Sequence, residues 1–307
     1  MKLGLYSGTL NGHRKSYLEF ALKNFTSQRV NPYELFTSKD PVLFLMVEDS
    51  FLLYFLVSIF RSLVGRLTAG LLFRPIPVVE NTSIRLKIKK FALFILKKMP
   101  KVKTLLIVPE STHPEFPSIC DGWIYDFQFW DLQEKNYQTF QELRNREKID
   151  PICATIDSAR NNRKVLCALG GQDRIKGFDT FASTYINNKD MQKQFLFGFG
   201  GKVKGFNELA VSFEKQGGFS ENRFVSDNDL TALYASSDLV WTLYAEDYDQ
   251  ASGIFGRAVQ FGIPVVVREN SLIHKICILD SIAHIALNRN NVTSLSSSMI
   301  QVSNIED

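Results

Sequence analysis

Two stretches in the second half of the chain carry residue types suited to phosphate chemistry. The first is Gly170–Gly177, GGQDRIKG, which follows an apolar run and sets Arg174 and Lys176 among glycines. Gly170 and Gly171 allow a ligand close to the backbone, and a guanidinium fork and an ammonium point charge both suit phosphate oxygens. The stretch matches neither GxxxxGK[ST] nor GxGxxG, so it is neither of those nucleotide-binding loops. Alone it reads equally as a glycine turn with two solvated cations.

The second stretch is Leu239–Arg268, LVWTLYAEDYDQASGIFGRAVQFGIPVVVR, which reads as strand, acidic loop, helix, strand. Ser252-Gly253 stands where loop becomes helix. Unpaired N–H groups and the helix dipole favour an anion there. Capping alone accounts for Ser252 and Gly262. It does not account for Glu246, Asp247 and Asp249 beside such a helix start. Asp247-Tyr248-Asp249 also spells DxD, a pair of carboxylates of the kind that holds Mg or Mn. Because Arg174 and Lys176 already answer a diphosphate's charge, no metal and no other cofactor is expected.

Alternating strands and helices must position these loops. In the first half, strands are expected at Leu3–Tyr6, Pro41–Val47 and Lys103–Val108, with a Gly-containing loop SGTLNGHRKS and a helix after the first. Asp121–Leu132 is aromatic and expected near a strand end, and residues 134–150 are polar. Ile156–Lys164 is polar and turn-forming, and it marks the expected change of domain. Beyond it, strands are expected at 164–169, 194–199, 223–225, 239–244 and 264–267, with helices from about Phe178, at 205–215, at LTALYASS behind a cap at Asp227, Asn228 or Asp229, and at 252–261. This alternation implies parallel sheets. The fold class is therefore α/β, with two Rossmann-like domains at 1–160 and 161–307. A short serine run, Ser294–Ser298, is the only compositional bias.

The 307 residues suit two domains, and 45% apolar content is ordinary for a globular protein. Cys120, Cys153, Cys167 and Cys277 lie far apart without a CxxC pair, which implies neither a disulfide framework nor a zinc site and favours a reducing, cytoplasmic setting. Phe51–Ile59, FLLYFLVSI, is too short to span a bilayer before Arg61 and Arg66, and reads as a buried or interfacial helix. Residues 1–150 hold 21 Lys+Arg against 15 Asp+Glu, whereas 151–307 hold 15 against 17. The basic excess concentrates in Arg85–Lys103, RLKIKKFALFILKKMPKVK, which has no acid. Two readings stand: an amphipathic helix on an anionic membrane surface, which would make the protein peripheral on the inner face of the cell membrane, or a Rossmann helix with a solvated face. No recognised nucleic-acid-binding module accompanies the run, and nucleic-acid binding is not expected.

In order and spacing, the strand before GGQDRIKGFDTF, the strand ending FGFGG, DLTALYASSDLVW and DQASGIFGRAVQFGIPVVV resemble the C-terminal domain of family-four retaining glycosyltransferases of the GT-B fold. The resemblance covers about residues 163–275 well and the first domain loosely. It implies two domains facing a cleft, a nucleotide-diphosphate sugar bound mostly by the second, and a glycan or lipid-linked acceptor at the first. It implies sugar transfer with retention, in cell-surface polysaccharide synthesis. Arg174 and Lys176 match the basic pair that meets the donor diphosphate, and Ser252 and Gly253 match the helix start beside it. The family has two glutamates seven residues apart, one on the transferred sugar and one on the ribose. Here Asp249 stands at the first place and Arg257 at the second, and a guanidinium cannot accept hydrogen bonds from ribose hydroxyls. On the acceptor side the resemblance implies the first glycine loop, with Gly12, His13 and Arg14, and Glu48 near the place of a family histidine. A sugar-nucleotide epimerase, or a non-catalytic partner that keeps the fold, are the alternatives.

Overall fold

The computed structural model describes residues 2–10, 13–129, 131–250, 252–288 and 295. Gly12 and nearly all of the serine run lie outside the described residues, as does the side chain of His13. The chain forms two compact units, Met1–Phe127 and Gln128–Asp307.

The first unit holds β1 (Leu3–Tyr6), α1 (His13–Asn24), β2 (Ser27–Arg29), α2 (Pro32–Thr37), β3 (Val42–Phe44), α3 (Phe51–Leu63), β4 (Thr68–Leu72), α4 (Pro75–Glu80), α5 (Ile84–Lys97), β5 (Val102–Leu106), α6 (Phe116–Ile119) and β6 (Gly122–Trp123). Its six strands are parallel in the order β2-β1-β3-β4-β5-β6. The order reverses direction between β1 and β3, and in doubly wound sheets ligands bind outside the strand ends at such a point. The core is built on short strands and close helix approach. A Cβ on Gly70 in β4 would stand 2.5 Å from Val47 Cγ2 and 2.7 Å from the Tyr54 ring, so glycine there lets α3 settle on the sheet. Tyr54 is fully buried, and its hydroxyl lies 2.8 Å from Thr104 Oγ1.

Arg61, the only charged residue of α3, is also fully buried. Its guanidinium donates to the carbonyls of Leu35, Ser38, Asp40 and Leu67 and to Thr68 Oγ1, at 2.6–3.1 Å. Buried charge is tolerated when every donor is satisfied, and here backbone oxygens from α2, its following turn and the approach to β4 supply the acceptors.

The second unit opens with α7 (Glu134–Arg144) and α8 (Pro151–Arg160). There follow β7 (Lys164–Leu169), α9 (Phe178–Asn187), α10 (Lys189–Gln194), β8 (Phe195–Gly200), α11 (Asn207–Lys215), β9 (Phe219–Glu221), α12 (Asp227–Ser236), β10 (Leu239–Thr242), α13 (Gly253–Gln260), β11 (Val265–Arg268), α14 (Leu272–Leu279) and β12 (His284–Leu287). All six strands are parallel, in the order β12-β11-β10-β7-β8-β9. The direction reverses between β7 and β10. Buried on both faces, these strands read as near-continuous apolar runs. An aromatic core fills one side: Phe181 stacks on Phe197 at 5.0 Å and meets Trp241 edge-on at 5.4 Å.

Several expectations change. The units part at Phe127/Gln128, not near residue 160, because α7 and α8 pack against α12 of the second sheet; Arg144 donates to Ser237 O at 2.9 Å and Arg160 pairs with Asp238 at 3.2 Å. Residues 223–225 are not a strand; β9 lies earlier, at Phe219–Glu221. Ser226, not one of the aspartates, caps α12, in a capping box with Asp229. No helix among the described residues is long and apolar enough to cross a membrane.

Candidate functional site

The carboxyl ends of β7 and β10 flank the reversal point of the second sheet, and the two stretches singled out by their chemistry are the loops that leave those ends. The loop after β7 is held by glycine. Gly177 has φ +74, and a Cβ there would lie 2.3 Å from Leu243 O, so the turn preceding α9 is tight against the chain leaving β10. Asp173 Oδ1 accepts the Lys176 N–H at 2.9 Å and closes the loop from within.

This geometry sets Lys176 between two tyrosines of the other loop. Its Nζ stands 4.1 Å from the Tyr244 ring centroid and 4.3 Å from that of Tyr248, and donates to Tyr248 Oη at 3.3 Å. Burial pulls the ammonium's pKa down, but Tyr244, Tyr248 and Asp173 outweigh it and leave the pKa above its ordinary value. Lys176 is therefore a fixed cation through the neutral range.

Tyr244 links that cation to α13. Its hydroxyl lies 2.9 Å from the Oγ of Ser252, which is buried. Ser252 occupies the N-cap position of α13, yet its side chain makes no capping hydrogen bond. The capping explanation for this serine therefore fails: its hydroxyl is turned to Tyr244, and the first N–H groups of α13 are left to other acceptors. Gly253 is the first helical residue. Gly170, at φ +82, lies under α13, since a Cβ there would be 3.5 Å from Ile254 Cδ1, whereas a Cβ on Gly171 would meet nothing within 4 Å.

The carboxylates do not act as a pair. Asp247 forms an exposed ion pair with Arg174, which raises the arginine's pKa. Asp249 Oδ1 instead accepts the Leu272 N–H at 2.8 Å, at the start of α14, and lies 3.4 Å from Arg268 Nη2. A small cavity between the ends of β10 and β11 is lined by Thr242, Tyr244, Tyr248, Asp249, Arg268, Ser271 and Ile273. Arg268 Nε is buried there without a hydrogen-bond partner among the described residues. Among those residues, no group of three or more His, Cys, Asp or Glu is placed to hold a metal. Arg257 lies a turn into α13 and is bound elsewhere: its Nη2 pairs with Asp131 at 3.0 Å and its Nη1 donates to Gln260 at 3.2 Å. Lys176, Ser252 and Asp249 thus gather around the two tyrosines, Arg174 is paired with Asp247 next to Tyr248, and Arg257 is committed to a separate ion pair. The residues that sequence reasoning passed over are Tyr244, Tyr248 and Arg268. A polar side chain within a few residues of a strand's carboxyl end was their only signal.

In the first unit, the loops leaving β1 and β3 meet at that sheet's own reversal point. A Cβ on Gly8 would stand 2.6 Å from Ser50 Oγ, and Arg14 makes a two-pronged ion pair with Asp49. Glu48 Oε1 accepts the Arg74 N–H at 2.6 Å, while its Oε2 is buried without a partner among the described residues. Burial raises the Glu48 pKa, against the opposing effects of the Arg74 N–H and the Lys89 charge.

No family model and no curated protein sequence matches the chain. Solved structures do. HepE of Anabaena, crystallised in complex with UDP, aligns with TM-score 0.65 at 11% identity, over 99% of this chain and 91% of that one. A UDP-forming α,α-trehalose-phosphate synthase from Burkholderia xenovorans aligns with TM-score 0.58 at 10% identity, over 90% of this chain and 67% of that one. At such identities the likeness is one of fold, and the fold shared is the two-domain α/β architecture of GT-B proteins.

Proposed function

We propose that the chain is a metal-independent glycosyltransferase that moves a sugar from a nucleoside-diphosphate donor to a hydroxyl of a glycan or lipid-linked acceptor, with retention at the anomeric carbon. Its setting in this reading is the cytoplasmic side of a membrane, in cell-surface polysaccharide synthesis. The second unit takes the donor and the first unit takes the acceptor. The observation that carries the reading is the link from Lys176 through the Tyr244 ring to Ser252 at the start of α13. It puts a fixed cation and unpaired N–H groups at one end of one sheet, where a leaving diphosphate gains charge as the sugar bond breaks. HepE, of the same fold, has been crystallised with UDP and with UDP and glucose.

Arg174 adds a second cation once it leaves Asp247, a change that an arriving diphosphate favours because it offers two strong acceptors. Asp249, held at the start of α14 by the Leu272 N–H, orients sugar hydroxyls. Both aspartates of the DxD have arginine partners, which supports a diphosphate met by cations and N–H groups. The Arg257–Asp131 pair favours one other reading, a non-catalytic protein that keeps the fold, because it removes the ribose contact from that position.

A panel of UDP-, GDP-, ADP- and dTDP-sugars decides between them. A transferase shows a raised unfolding temperature with at least one nucleotide, and mass spectrometry detects the transferred or hydrolysed sugar. Absence of any thermal shift and of any product across the panel refutes the proposal in favour of the non-catalytic reading. Product from donor alone that is an isomeric nucleotide sugar would instead identify an epimerase.

A further inference from the structure

The first unit presents a broad apolar surface that the site does not use. On α3 the residues Leu52, Leu56, Phe60 and Leu63 recur at helical spacing and are all exposed, Leu52 by 69% and Leu63 by 78%. Val64 and Leu67 extend the stripe beyond the helix. On α5 the exposed apolar residues are Ile84, Ile88, Phe91 and Phe94, with Ile84 at 78% and Phe91 at 64%. Single exposed apolar side chains are ordinary, but two adjacent stripes of large ones are not.

The two helices lie side by side. The steps from β3 to β4 and from β4 to β5 run in the same direction across the sheet, so right-handed crossovers bring α3 and α5 to the same side of it. Lys89 Nζ, on α5, stands 4.9 Å from the Phe51 ring centroid on α3. No acidic residue occurs in either helix, and the only charge of α3, Arg61, is turned inward. The outer face of α3 is therefore wholly uncharged, while the rim beside it is cationic.

The structure also separates the rim cations from those already in use. Lys90 pairs with Glu115, Lys97 donates to Pro117 O, and Lys89 is tucked over Phe51 with its pKa lowered by burial. Arg85, Lys87, Lys98 and Lys101 remain exposed. Lys98 Nζ lies 4.2 Å from the Phe94 ring, an arrangement in which the ring enters an apolar layer and the ammonium stays at its edge.

From this we infer that α3 and α5 together form a docking face for the surface of an anionic bilayer, with the two apolar stripes in the interface and Arg85, Lys87, Lys98 and Lys101 on the headgroups. An apolar sheet edged by one sign of charge fits that partner better than a second copy of the chain, whose like-charged rims would repel. The inference deepens the membrane part of the proposed function by naming the face, and it adds α3, whose apolar run read as a buried or interfacial helix.

The test uses the intact protein and vesicles, with neither donor nor acceptor, so its failure is distinguishable from failure of the transferase reading. Wild-type protein should co-sediment with vesicles of equal phosphatidylglycerol and phosphatidylcholine, and much less with phosphatidylcholine alone. Replacing Lys87 and Lys98 by Glu should cut the partition coefficient on anionic vesicles by at least about fivefold per residue. The combination Leu52→Ser, Leu56→Ser and Phe91→Ser should cut it by at least about tenfold at low salt, because the inserted apolar surface is lost. Thermal unfolding of both variants verifies their folding. Failure of wild type to sediment with anionic vesicles overturns the inference, as does equal binding of the serine variant. A salt-stable dimer in lipid-free solution that the serine variant abolishes would give the face to a second copy instead.

Discussion

Replacing Lys176 by Met removes the cation that the fold clamps between Tyr244 and Tyr248 at the reversal point of the second sheet. The methylene stem is nearly conserved, so the tyrosines keep a neighbour. The ammonium's contacts with two rings, at 4.1 and 4.3 Å, are lost. Each is worth about 0.5–1 kcal/mol, offset by the relieved cost of burying the charge. Stability should therefore change by no more than about 1 kcal/mol. The chemical effect is larger. A unit charge about 4 Å from a phosphate, at an effective dielectric of about 20, contributes about 4 kcal/mol. If half of the leaving-group charge has developed in the transition state, kcat falls by about 30-fold, and if nearly all has, by about 1,000-fold. UDP carries that charge in full, so its affinity, measured by calorimetry, should weaken by a factor at least as large as the loss in kcat. A variant that turns over the best donor of the panel within threefold of wild type, or binds UDP unchanged, refutes the placement of the diphosphate at Lys176.

Two further substitutions test the scaffolds of the two sites. Gly177→Ala combines a positive φ, which costs a side chain about 1–2 kcal/mol, with a Cβ placed 2.3 Å from Leu243 O; a loss of about 2–4 kcal/mol is expected in urea unfolding, and an unchanged midpoint would show that the loop relaxes freely. Glu48→Gln probes pH dependence. The folded carboxyl holds its proton to higher pH than the unfolded one, so wild type loses stability as pH rises from the ordinary carboxylate range through the raised value, and the Gln variant does not. The variant's unfolding temperature should gain on wild type as pH rises above the ordinary carboxylate range; parallel curves would mean that Glu48 ionises normally.

The fold was legible where hydrophobic runs are long and bounded. LGLY and KVLCAL form the strands expected from them, with β8, β10 and β11 offset by a residue or two. The strand β4, TAGLL, escaped notice because Thr68, Ala69 and Gly70 lack the bulk that marks a buried strand. Gly70 is a glycine because Val47 and Tyr54 press on it, a tertiary demand with no local signature. The second half of α8 read as part of a polar linker because, after Ile156, none of its residues is buried. In the site, residue types announced Lys176 and the start of α13, each beside a strand end. The partners of Lys176 could not be read from spacing. Tyr244 and Tyr248 lie some seventy residues on, and only the neighbouring of β7 and β10 in the sheet brings them to it. Arg257 shows the converse: its place in the sequence suggested a donor contact, but Asp131, far back in the chain, claims it.

The five hydrogen bonds of Arg61 have a consequence for how the protein is handled, in the cell and on the bench. They tie α3 to four backbone carbonyls and one hydroxyl on segments before and after it, which fixes the helix's rotation about its own axis. Many amphipathic segments hide their greasy side by rolling or melting when no surface is near. Here that escape is opposed, since turning the stripe inward would withdraw the guanidinium from the buried oxygens it satisfies. Freshly made chain therefore carries its adhesive side outward from the moment the first unit folds. An apolar stripe held outward favours clumping in water, and mild detergent during purification should suppress it.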